Sequence, residues 1–93
     1  MKIADIKPTI KFDDVDKLDV RIGTIVKVED IAESRKLMKL VVDFGDRERN
    51  IVAGIKQERS DPQEIEGIQA LFVVNLEPQK MAGVLSEGMM FDI

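Results

Sequence analysis

The sequence contains no cysteine and no histidine. Without cysteine there is no disulfide framework and no thiolate, and without histidine a zinc site would have to be built from carboxylates alone. Catalysis by a cysteine, by a histidine base or by a serine–histidine pair is excluded on the same grounds. Tryptophan and tyrosine are also absent, and four phenylalanines are too few for an array of exposed rings on which single-stranded nucleic acid could stack. No apolar run approaches the ~20 residues of a membrane-spanning helix. Residues 1–7 lack the continuous apolar stretch of a secretory signal, so a cytoplasmic location with no membrane partner is expected. Basic residues are outnumbered, 14 against 18 acidic ones, for a net charge of −4. That balance argues against strong non-specific binding to polyanions, while leaving room for a local cationic face.

What the sequence does hold is 93 residues, 44% of them hydrophobic and 34% charged, the composition of one globular domain with one core. Residues 1–11 show neither a helical nor a strand period and read as a tail or linker. The domain is predicted to occupy residues 12–93. A helical turn over 12–17 is expected to tuck Phe12 and Val15 under the fold, with Asp13 or Asp14 near its N-terminus, where negative charge is favoured. From Leu18 the period becomes two, with Leu18, Val20, Ile22, Val26 and Val28 apolar, which predicts a long half-buried strand bulged or coiled at Gly23.

A second strand is expected over 37–44, with Met38, Leu40, Val42 and Phe44 on one face, then a turn at Gly45-Asp46 and a third strand over 47–53 that makes a hairpin with the second. Pro62, capped by Asp61 and stopped at Gly67, suits a short helix. Residues 70–74 form a continuous apolar run, expected to be a buried fourth strand. A loop over 76–83 then leads to a fifth strand over 84–91 with its weak point at Gly88. These elements predict an all-β fold, a five-stranded antiparallel Greek-key barrel of the OB type with short helical insertions. Its expected core includes Val20, Ile22, Val26, Leu40, Val42, Val52, Phe72 and Val74.

No carboxylate pair, phosphate-cradling loop or metal-ligand cluster stands out, so neither enzymatic activity nor a cofactor is expected. Asp13, Asp14, Asp16 and Asp19 read as solvated charge, since a hard cation needs several converging oxygens. The cations are more informative. Arg21 and Lys27 are expected on the outer face of the first strand, Lys36 and Lys39 at the start of the second, Arg47 and Arg49 on the third, and Lys80 in the loop before the fifth. In an OB barrel the face of strands two and three, with its bounding loops, is the usual nucleic-acid site. The alternative is that these are solubilising side chains paired with Glu29, Glu33, Asp46 and Glu48.

Four segments carry a resemblance. Residues 15–25, with Asp19-Val20-Arg21-Ile22-Gly23-Thr24-Ile25 at their centre, residues 34–45, residues 49–55, and above all residues 74–89 from Val74-Asn75-Leu76 to Ser86-Glu87-Gly88-Met89 are similar to the tRNA-binding domain. That domain is shared by the C-terminal extension of methionyl-tRNA synthetase, stand-alone structure-specific tRNA-binding proteins and the phenylalanyl-tRNA synthetase β-chain. The lead-in 7–12 resembles the segment before this domain in bacterial methionyl-tRNA synthetases.

The resemblance implies a non-catalytic module, free-standing or appended to an aminoacyl-tRNA synthetase, that recognises folded tRNA by shape and backbone contacts. It implies RNA contacts at Lys36, Arg49, Asn75, Lys80, Ser86 and Met89, to which Lys39 is added from its place in the cationic strip. Lysine and arginine suit phosphates, while asparagine and serine suit ribose hydroxyls and base edges. Asn75 also suits a turn-stabilising role, and Met89 a core position. The chain departs from the family at Arg35, where an acid is usual, and at Ile93, beyond which members usually continue through a segment that closes the module and takes part in dimerisation. A homodimer is expected, because stand-alone relatives form one and apolar surface is left near Phe91 and Ile93. The main alternative is a peptide-binding export chaperone of CsaA type, which shares the fold and the opening motif and differs at the later motifs.

Overall fold

The computed structural model describes residues 4–57 and 61–92. The expectations that fall on residues 1–3, 58–60 and Ile93 lie outside the described residues. Residues 4–11 are exposed and carry no regular structure. They lead to helix α1 (Phe12–Asp16), whose first turn is closed by Lys11 N–H donating to the Asp14 carboxylate at 3.1 Å. Contrary to expectation, α1 buries nothing: Phe12 is 91% exposed and Val15 also faces solvent. The helix precedes the barrel and does not plug it.

The strands are β1 (Val20–Asp30), β2 (Met38–Asp43), β3 (Glu48–Ala53), β4 (Gln69–Val73), β5 (Gln79–Met81), β6 (Val84–Ser86) and β7 (Met89–Asp92). Five of them form one antiparallel sheet in the order β3-β2-β1-β4-β7. The sheet curls into a half-barrel of the OB type, with β3 and β7 brought into contact across the seam. β5 and β6 make a separate two-stranded hairpin, with β5 inside the expected loop over 76–83 and β6 at the start of the expected fifth strand. The single fifth strand expected over 84–91 is thus divided between β6 and β7, and Gly88 marks the division. A Cβ there would lie 2.7 Å from the Val73 carbonyl oxygen, so only glycine lets the chain pass so close as it crosses from β3 to β4.

β1 is long enough to serve two partners. Residues 20–24 pair with β4, residues 24–30 pair with β2, and the register slips between Ile25 and Lys27. This bulge, rather than Gly23, reverses which side chains face inward. Gly23 and Ile25 point into the core before it and Val28 after it, while Val20, Ile22 and Val26, expected in the core, are exposed. Gly23 has a different duty. A Cβ on it would sit 2.5 Å from Val42 and 2.8 Å from Phe44, so its bareness admits those two side chains.

Where β4 leaves β1, the 3-10 turn Pro62–Ile65 takes over. Glu66 accepts from Val28 N–H at 2.8 Å, and Gly67 and Ile68 exchange backbone hydrogen bonds with Ile25. Asp61 caps this turn through Gln63 N–H, and Gly67 ends it at φ +87°, as the sequence pattern indicated. Ile65 drops into a core shared with Ile25, Leu40, Val42, Ile51 and Phe72. Among the described residues no helix is long and apolar enough to cross a membrane.

Candidate nucleic-acid interface

The seven residues singled out from the sequence fall into two groups, one exposed and one tied into the fold. Lys36 lies on the β1–β2 connection, which is held in shape from below. Ser34 Oγ accepts from the backbone N–H of Lys36 and Leu37, and the Lys56 ammonium donates to the carbonyls of Ile31 at 2.9 Å and Ser34 at 2.7 Å while pairing with Asp30. Lys36 is thereby displayed on a braced loop. Nothing in the sequence pattern pointed to Lys56, because its partners are backbone carbonyls some twenty residues away.

Lys39 stands opposite Val52 on the convex side of the β2–β3 hairpin, beside Glu29, whose carboxylate lies 3.6 Å from Lys39 and 3.4 Å from Lys27. Such partly exposed pairs contribute under about 1 kcal/mol and give way to a stronger anion. Lys80 is exposed on β5, opposite Leu85 and pointing away from β3. The β5–β6 hairpin that carries it is fastened along β3: Asn50 exchanges hydrogen bonds with Glu87, and Val52 N–H donates to Ser86 Oγ at 2.9 Å. Lys36 is thus carried by the connection that enters β2, Lys80 by the hairpin fastened along β3, and Lys39 by the convex side of β2.

Ser86 is buried, and its hydroxyl, besides accepting from Val52, donates to the Gly88 carbonyl at 2.9 Å. Asn75 ties two segments together, its Oδ1 accepting from Asp19 N–H at 2.8 Å and its Nδ2 donating to the Lys17 carbonyl at 2.6 Å. Arg49 sits opposite Val42 on the concave side and donates to the carbonyls of Val74 at 2.8 Å and Glu87 at 3.3 Å. Arg49 and Ser86 join β3 to the end of β4 and to the hairpin, and Asn75 joins the end of β4 to the segment that enters β1. Met89 is half exposed and lines a groove of about 170 Å³ with Val52, Ser86 and Leu76.

The expected single strip Lys36, Lys39, Arg49 and Lys80 is thus divided. Arg49 and Lys39 occupy opposite faces of the hairpin, and Arg49 lies at the far end of β2 from Lys36, roughly 20 Å along a strand of that length. Arg49 instead joins Arg21, expected on the outer face of the first strand, and Arg47, expected on the third strand but placed in the turn before it, around a mouth of about 390 Å³ at the end of the half-barrel, floored by Phe44. Arg21 is held there by Asp19 through two hydrogen bonds of 3.1 and 3.0 Å. Those bonds, more than the neighbouring charges, hold the Asp19 carboxyl below the usual carboxylate range and raise the Arg21 guanidinium. Convergence of three arginines from β1, the β2–β3 turn and β3 has no signature in sequence spacing.

The chain is similar to known proteins along most of its length. A family model described as "Putative tRNA binding domain" matches residues 20–91. The chain is 52% identical over 84 residues to the methionine–tRNA ligase of Methanococcoides burtonii, covering 89% of this chain and 12% of that protein. It is 48% identical over 75 residues to the methionine–tRNA ligase of Methanocaldococcus jannaschii, covering 81% and 11%. The chain therefore spans about an eighth of the length of these relatives. Among solved structures, a MetRS-related protein from Pyrococcus horikoshii superposes with a TM-score of 0.84 at 42% identity, over 91% of this chain and 77% of that one. The chaperone CsaA from Bacillus anthracis superposes with a TM-score of 0.79 at 32% identity, over 90% and 76%.

Proposed function

Because the chain belongs to the tRNA-binding domain family, we propose that it is a non-catalytic cytoplasmic module that binds folded tRNA by shape and backbone contacts, free-standing or appended to a methionine–tRNA ligase. The family match across residues 20–91 carries this reading. Lys36, Lys39 and Lys80 support it, offering phosphate contacts from braced positions. Arg49 and Ser86 serve binding by holding β3, the end of β4 and the hairpin together, Asn75 by tying the entry to β1 to the end of β4, and Met89 adds an apolar contact at the groove. A net charge of −4 opposes long-range attraction of RNA. The module is therefore an accessory that raises tRNA capture when tethered to a second tRNA-binding site.

The test is fluorescence anisotropy of labelled tRNA across a salt series. Lys80→Ala should weaken binding about equally for different tRNAs and flatten the slope of log K against log salt by about one unit or less. No binding at low salt by the folded protein, or equal affinity for tRNA and an unstructured RNA of the same length, would put a CsaA-like peptide chaperone ahead. The groove between β3 and β7, lined by residues 52–55 and 89–91, favours that second reading.

The module is also a homodimer on this reading. Register places Val20, Ile22 and Leu71 on the convex side of β1 and β4, Val20 and Ile22 are exposed there, and α1 leads into the same row with Phe12 and Val15 uncovered. An isologous pair would bury this apolar surface in one step.

A further inference from the structure

We propose that the mouth of the half-barrel, between the start of β1, the β2–β3 turn and the end of β4, is a pocket for one guanine nucleotide. The proposal rests on the tRNA reading for its source of ligand, an unstacked guanosine of a bound RNA, and not for the pocket itself.

The cavity, about 390 Å³, falls within the roughly 300–1,000 Å³ range of small-ligand clefts. Two of its arginines are already committed: Arg49 to the carbonyls of Val74 and Glu87, and Arg21 to Asp19. They form fixed walls. Arg47 and Asp46 differ. Arg47 Nε lies 3.7 Å from Asp46 Oδ2, too far for a strong hydrogen bond, and both side chains are well exposed at the rim. Their backbone is nevertheless set, because Phe44 N–H donates to the Arg47 carbonyl at 3.0 Å and Gly45 N–H to Asp43 Oδ1 at 2.7 Å. The turn therefore presents a guanidinium fork and a carboxylate side by side over an aromatic floor. The Phe44 ring is held edge-on by Phe72 at 5.5 Å.

Charge decides the ligand class. Three arginines and two aspartates line the cavity, so a bare phosphate would face Asp19 and Asp46 as well as the cations. A base that presents donors and acceptors together meets both signs. Guanine alone offers a bidentate partner to each: O6 and N7 accept from a guanidinium, while N1–H and the N2 amino group donate to a carboxylate. Adenine would leave each charged side chain with a single bond.

The experiment titrates the ¹⁵N-labelled protein with GMP, AMP and inorganic phosphate and follows the backbone amides. GMP should shift Gly45, Asp46, Arg47 and Asn75 saturably, at least about five-fold more tightly than AMP, the low end of what a bidentate pair discriminates. Asp46→Asn, on an exposed turn, should keep the rest of the spectrum and lose the preference for GMP. Phosphate or AMP binding these amides as tightly as GMP, or no saturable shift with GMP, would overturn the pocket. tRNA anisotropy on the same sample separates the two ideas: tRNA binding without a GMP response removes the pocket and leaves the tRNA reading, whereas a GMP response without tRNA binding keeps the pocket and removes the RNA as its source.

Discussion

A single missing atom decides how the barrel mouth is built. Gly23 adopts no special backbone conformation, yet the space its Cβ would fill is taken by Val42 and Phe44. Gly23→Ala should therefore destabilise the protein by about 1–3 kcal/mol, as overpacking does in close-packed interiors. It should also displace the Phe44 ring from Phe72. Urea denaturation gives the first quantity and the Phe44 ring resonances report the second; a variant as stable as the parent would mean that the strands part without strain. Asn75 and Ser86 carry a related lesson. By residue type they suit RNA contact, but their hydrogen bonds run to backbone groups of Asp19, Lys17, Val52 and Gly88. Removing the Ser86 hydroxyl would leave Val52 N–H buried without that partner, a cost that falls on folding before binding.

At the scale of elements, the β5–β6 hairpin is the most local device in the fold. Its turn has Ala82 at φ 50° and Gly83 at φ 81°, the two positive angles that match a two-residue turn to strand twist. Glycine is at ease there, whereas alanine pays roughly 1 kcal/mol in the left-handed region. Ala82→Asn should raise stability by about 0.5–1 kcal/mol, since asparagine tolerates that region and suits this turn type. A chemical-denaturation midpoint at or below the parent's would show that hairpin strain is not transmitted to the sheet. Because Lys80 rides on this hairpin, the same variant should leave tRNA affinity unchanged or slightly improved. The β1–β2 connection obeys a similar logic: Lys56 and Ser34 brace the loop on which Lys36 stands.

For the molecule as a whole, the convex side of β1 leaves the apolar Val20 and Ile22 exposed, and α1, just ahead of it in the chain, leaves Phe12 and Val15 uncovered. If two copies meet there, Ile22→Asp should shift the protein from dimer to monomer in light scattering at high concentration, without loss of the sheet signature in circular dichroism. Ile22 is 60% exposed in the single chain, so the substitution spares the core. A parent that scatters only as a monomer would refute the dimer. The cationic groups divide at this scale as well: Lys36, Lys39 and Lys80 lie away from the mouth, which three arginines with two aspartates surround.

The sequence by itself determined the all-β class, the β2–β3 hairpin, the capped turn at Pro62, the buried β4 run and the family, because each of these depends on local turn chemistry, period or a contiguous motif. It also indicated that Lys36 and Lys80 would be displayed, since polar connections lie on the surface. The facing of β1 was decided only by tertiary structure. A one-residue bulge exchanges inside for outside, so the period-two reading that put Val20, Ile22 and Val26 in the core held only beyond the bulge, at Val28. The parting of Lys39 from Arg49, and the meeting of Arg49 with Arg21, Arg47 and Phe44, were decided in the same way. Which side chains share a face depends on strand register and on where the curled sheet ends, and those are properties of pairing between segments distant along the chain.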